Sequence, residues 1–325
     1  MKLFESFGKQ QPSREKPFKK KTVLERVEKS LKIFMAMGIV ALGADSVFES
    51  RLITGYTPDH YIKYCGVEDE LQQKDLKSKL TELEKVFSPS FLSGLEETIQ
   101  KSHINSKEIP TTPKIEGFEK VGIENEKIKK LWSEKYYPTG TINGVLKNVQ
   151  YQNYSKKSSE VYNISSENGA EVAPTENSIK FLGLKNENYP NSEAFLKTLD
   201  WYFSHEIGHI NDWMHSSDLK PEERVDFILE VVSAFNKPAS FRDLLGYVNS
   251  INNQDVCLEK YYKVAEYWAV LCEYYLSFPD LATKRFLPEE TNLIKKWLLK
   301  GKGDKFDPSD AIAKRGKLIE EICNE

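Results

Sequence analysis

Five histidines occur in the 325-residue chain, His60, His103, His205, His209 and His215, and three of them fall within residues 205–215. The centre of that cluster is His205-Glu206-Ile207-Gly208-His209, an HExxH pattern. On a helix, side chains four residues apart lie one above the other. Both imidazoles therefore face the same way and can bind one Zn²⁺, with Glu206 beside them as a base for water. A catalytic zinc also needs a third protein ligand and an open position. Three residues compete for that role. His215 stands at the spacing of HExxHxxGxxH, but Asp212 occupies the glycine position and no methionine follows Met214, so the methionine turn of that pattern cannot form. Glu230 lies on a polar helix side with Glu223 and Asp226, opposite Val225, Ile228, Leu229 and Val232. Glu266 belongs to Val264-Ala265-Glu266-Tyr267-Trp268-Ala269 and shares a stripe with Glu259, Lys263 and Glu273. Glu273 is two turns further on, about 10 Å along a helix axis, too far to replace Glu266 at the same ion.

These residues need a rigid frame. Leu196, Leu199, Phe203, Ile207, Ile210 and Met214 form one apolar stripe that anchors the motif helix and leaves its histidines facing a cleft. Asn191 or Ser192 caps that helix and Glu193 sits in its first turn. Further helices are predicted from about residue 67 (Leu76, Leu80, Leu83 and Phe87 in register) and over Pro221–Phe235, Tyr261–Phe278, Pro288–Lys300 and Pro308–Cys323. Residues 102–114, with Pro110 and Pro113, read as a linker. Asn143-Gly144 and Asn168-Gly169, flanked by alternating Val149 and Tyr151 and by Ile179 and Phe181, predict an antiparallel sheet. The expected organisation is a basic and apolar segment over 1–50, a helical accessory region over 51–135, and a motif-bearing domain over 136–325.

From about residue 175 to 300 the chain resembles the catalytic domain of the anthrax lethal factor family of zinc metallopeptidases, which are gluzincins. The resemblance is carried by the strand Ser178–Leu184, the block His205 to Asp212 (HEIGHIND), the later Glu266-Tyr267-Trp268-Ala269, and the tail Tyr274 to Asp280. It implies an α+β, zincin-like fold, mostly helical, with a small antiparallel sheet packed beside the motif helix. It implies zinc held by His205, His209 and Glu266, with Glu206 as base. It also implies an edge strand, Ile179–Leu184, that takes a peptide substrate as an added strand. The family carries a second glutamate four residues after the ligand glutamate, where this chain has Val270, so a supporting carboxylate contact is expected to be missing. It carries an oxyanion-stabilising tyrosine seven residues before the ligand, where this chain has Glu259; Tyr261 or Tyr262 takes that role instead. Asp212 is expected to hydrogen-bond a ligand histidine.

Composition bounds the partners. With 46 Lys and Arg against 49 Asp and Glu, the net charge of −3 gives no global positive field for nucleic acid. Cys65, Cys257, Cys272 and Cys323 lack CxxC spacing, which argues against a cysteine zinc site. The first 32 residues carry ten Lys and Arg, including Lys19-Lys20-Lys21, and precede the apolar stretch Ile33–Ala44, too short to span a bilayer. That arrangement reads either as an export signal, implying a secreted or extracytoplasmic protein, or as an amphipathic helix of a cytoplasmic one. The expected activity is zinc-dependent endopeptidase hydrolysis of a protein or peptide. The rivals are an inactive binding protein on the same fold and a zinc hydrolase of a small amide or ester.

Overall fold

The computed structural model describes residues 58–87, 109–152, 169–173, 177–182, 184, 186–213, 216, 219–238, 240–241, 256–300 and 305–324. The expected segment 1–50 and the candidate ligand His215 lie outside these residues. Two helices come first, α1 (Pro58–Cys65) and α2 (Glu70–Val86). Asp69 caps α2 by accepting from the backbone N–H of Gln72 at 2.8 Å, and its Leu76, Leu80 and Leu83 are buried.

Four short strands follow: β1 (Lys114–Glu116), β2 (Asn148–Gln152), β3 (Gly169–Ala173) and β4 (Ser178–Leu182), in the spatial order β1-β2-β4-β3. The expected antiparallel sheet does not form. β1, β2 and β4 run parallel, and only β3 runs antiparallel, against β4. The reason lies in the connections. Between β1 and β2 the chain crosses over through helix α3 (Asn125–Leu131), and Phe118, Ile128, Leu131 and Trp132 of that crossover enter the core. Parallel neighbours require such a crossover, whereas a tight hairpin can only return a strand antiparallel. Gly144 does make a turn, at φ +72°, but the residues before it form turns and offer no partner strand. Gly117 sits where β1 ends, at φ +88°, and a side chain there would collide with the Tyr151 carbonyl. β4, expected at the edge, is interior, with Ile179 and Phe181 fully buried. The edge beside it is β3.

The helical half comprises α4 (Ser192–Ile210), α5 (Pro221–Phe235), α6 (Val256–Ser277), α7 (Pro279–Arg285), α8 (Pro288–Leu293, continued by a π turn over Ile294–Leu298) and α9 (Pro308–Asn324). Asn191 caps α4 by accepting from Ala194 N–H at 2.8 Å. Its stripe of Leu196, Leu199, Phe203, Ile207 and Ile210 is buried as predicted. Trp132 stacks between Phe203 of α4 (4.3 Å) and Phe181 of β4 (5.2 Å), joining the helix to the sheet. No helix among the described residues is long and apolar enough to cross a membrane.

Candidate metal centre

The centre forms where α4 crosses α6. At the crossing, α4 carries Gly208, and a side chain there would lie 2.7 Å from the Cα of Ala269 and 3.1 Å from the Cβ of Cys272. Only a residue without Cβ lets the backbones approach so closely. Trp268 fixes the contact by donating its indole N–H to the Gly208 carbonyl at 2.9 Å. Glu266 and Glu273 of α6 then fall opposite His205 and His209 of α4.

His205 Nε2 lies 3.4 Å from one carboxylate oxygen of Glu266, and His209 Nε2 lies 3.3 Å from the other. One ligand atom from each of the three residues lies within 4.8 Å of the other two. Tetrahedral zinc ligands at about 2.0–2.1 Å from the ion stand about 3.3 Å from one another; each histidine–Glu266 spacing matches that, to a different carboxylate oxygen, and the three ligand atoms, within 4.8 Å of one another, draw together on a single ion. Two imidazole nitrogens and one carboxylate oxygen are also a donor set that suits zinc and leaves a position open. Glu206, on the next residue of α4, is buried.

The charges agree. With neutral imidazoles the centre concentrates three carboxylates, Glu206, Glu266 and Glu273, around one point, a field that calls for a cation. Without an ion, protons fill that need. Burial alone would lower the His205 imidazole, but the carboxylates of Glu266 and Glu273 raise it well above its usual value. Burial would likewise lower the His209 imidazole, but Glu266 raises it above its usual value. Glu266 is driven well below the usual carboxylate range by the two facing histidines, against its own burial. Glu206 is pushed up by burial, the histidines pulling the other way.

The remaining predicted residues fall in different places. Glu230, weighed as third ligand, turns away on α5 and takes Lys296 Nζ at 2.6 Å and the Trp297 indole N–H at 2.9 Å. Tyr261 packs edge-on against Phe87 and Trp213, each with ring centroids 6.4 Å away. Burial, then Asp212, Tyr262 and Glu266 in that order, raises its hydroxyl. Tyr262 stands one turn before Glu266 on the same helix, and burial pushes its hydroxyl up to about 12, so it is a proton-bearing donor at neutral pH. Asp212 is buried just past α4, near enough for its charge to raise Tyr261 and Cys272.

Glu273, too far along α6 to replace Glu266, still belongs to the centre. It reaches behind the ligands, 2.9 Å from His205 Nδ1. The carboxylate contact expected to be missing because of Val270 is therefore supplied by a residue two turns from Glu266 rather than one. The sequence signal was the shared face of Glu266 and Glu273, which on its own reads as a solvated stripe.

No protein family, curated protein or solved structure was found to match the chain.

Proposed function

We propose that the chain is a zinc-dependent endopeptidase of the kind its motif block resembles, hydrolysing peptide bonds in a protein or peptide. The observation that carries this reading is the convergence of His205, His209 and Glu266 on one point beside the buried Glu206. His205, His209 and Glu266 would hold the ion. When bound, zinc would supply Lewis acidity, polarising a carbonyl and easing the ionisation of water.

The chain's own groups do the rest. Glu206, its carboxylate raised by burial, accepts the proton of the attacking water and returns it to the amine as the C–N bond breaks. Tyr261 or Tyr262, both within about a turn and a half before Glu266 on α6, would donate to the carbonyl oxygen as charge develops there. Among the described residues, β3 pairs on one side only, with β4, and it packs near α4. That side of β3, rather than the interior β4, would take an extended peptide through main-chain hydrogen bonds.

The test compares the purified wild-type chain with Glu266→Ala and Glu206→Gln, measuring bound zinc and cleavage of a peptide library. The reading expects one zinc per wild-type chain, loss of zinc in Glu266→Ala, and retained zinc without cleavage in Glu206→Gln. Undiminished zinc in Glu266→Ala, or cleavage surviving in Glu206→Gln, overturns it.

A further inference from the structure

Glu273 uses both of its oxygens. Oε2 meets His205 Nδ1 at 2.9 Å, and Oε1 accepts the indole N–H of Trp201. Trp201 and His205 are one turn apart on α4, so a single carboxylate from α6 bridges two successive turns of the motif helix. From these contacts we infer that Trp201 is a positioning residue of the metal centre, acting on His205 through Glu273. The inference rests on the metal-binding reading above.

A carboxylate held at one oxygen can still swing about its terminal bond, which has a broad torsional well. A second donor fixes its plane. With Trp201 holding Oε1, the Oε2 lone pair is aimed at Nδ1, and the proton of His205 stays on that nitrogen. In the neutral ring that a cation binds, Nε2 is then the nitrogen that keeps its lone pair. Glu273 is only 5% exposed, so losing either donor leaves a buried acceptor short of a partner. Trp201 itself is 41% exposed, and its ring stacks on Tyr202 at 5.3 Å. At that partly exposed position the ring can be exchanged for another aromatic, and the N–H to Glu273 is the contact that reaches the centre.

Trp201→Phe removes the donor and keeps an aromatic ring; Glu273→Gln keeps the shape and removes the charge. Both are compared with wild type by chelator competition for Zn²⁺ and by the visible spectrum of the Co²⁺-substituted chain, with thermal melts as a check on folding. Contacts of this kind are typically worth about 10–100-fold in metal affinity. The expected result is a loss in that range for Glu273→Gln, a smaller loss of several-fold for Trp201→Phe, and displaced Co²⁺ bands in both. Wild-type affinity and spectra in both folded variants overturn the inference while leaving the metal site intact. A loss in Glu273→Gln alone removes Trp201 from the assignment. If Glu273→Gln fails to fold, the partly exposed Trp201 position carries the test by itself. A wild-type chain that binds no zinc overturns the inference together with the reading beneath it.

Discussion

Glu206 and Glu266 sit in one centre and titrate in opposite directions, Glu266 held ionised by the histidines it faces and Glu206 raised by burial. Two carboxylates pushed apart in this way divide the work of ligand and base. The same charges set a pH dependence. In the metal-free chain the His205 and His209 values are raised above the usual 6.5, so their contribution to stability is complete below that pH and is lost as pH rises through the raised values. Glu266 is lowered, so its contribution is present above the usual 4.5 and is lost as pH falls through the lowered value. An ion must displace the histidine protons, and its binding therefore strengthens as pH rises. Melts with and without zinc should show a small gain in Tm near about pH 6 and a larger one near about pH 8; a gain independent of pH would mean that the histidines are not ligands. The two tyrosines should also separate. Phe at whichever of Tyr261 and Tyr262 donates is expected to lower kcat by about 10²-fold with little change in KM, as loss of an oxyanion donor does. The same change at the other tyrosine should alter kcat far less. Steady-state kinetics on one peptide decide between them.

At the scale of elements, the centre depends on how closely α4 and α6 approach. Gly208→Ala would place a methyl group 2.7 Å from the backbone of Ala269, and backbone cannot swing aside. Overpacking of this kind costs about 1–3 kcal/mol, and the separation should also draw Glu266 away from the histidines. Zinc affinity should fall together with stability. The same substitution at Gly316 of α9, where an added methyl meets nothing within 4 Å, should instead stabilise by about 0.5–1 kcal/mol through helix propensity. Chemical unfolding of the two variants checks both signs. Much of this frame was legible in the sequence because its signals are local. Pro221 at the first position and an apolar stripe gave α5 its observed bounds, and Asn191 marked the start of α4. The sheet was not legible, because the direction of a strand depends on its connection and partner. Asn143-Gly144 gave a true turn with no strand before it to pair. Glu273 was missed for a related reason. Along the sequence it belongs to a charged stripe, and only the crossing at Gly208 turns that stripe into the wall behind His205.

Across the whole molecule, one hydrophobic cluster runs from Tyr61 in α1 to Ile319 in α9, and a buried polar hub ties its parts together. Asp200 of α4 receives Arg315 Nε at 2.9 Å, the Tyr137 hydroxyl at 2.9 Å and the Trp132 indole at 3.2 Å. The same guanidinium donates to the carbonyls of Tyr136 at 3.1 Å and Leu276 at 2.7 Å. One side chain near the C-terminus thus holds α4, the end of α6 and the segment leading into the sheet. Removing one partner of a buried ion pair costs about 3–5 kcal/mol, since the other charge stays buried, and Arg315→Met should lose stability in that range. If the chain unfolds as one unit, zinc bound between α4 and α6 must stabilise the distant parts equally. At a hundredfold excess over Kd the gain is about 2.7 kcal/mol, and it should appear in full in Arg315→Met as well as in wild type. Urea unfolding followed separately by tryptophan fluorescence and far-ultraviolet circular dichroism measures this. Coincident transitions, shifted alike by zinc in both chains, are expected. A zinc-insensitive early transition would show that the hub and the metal centre belong to separately folding parts.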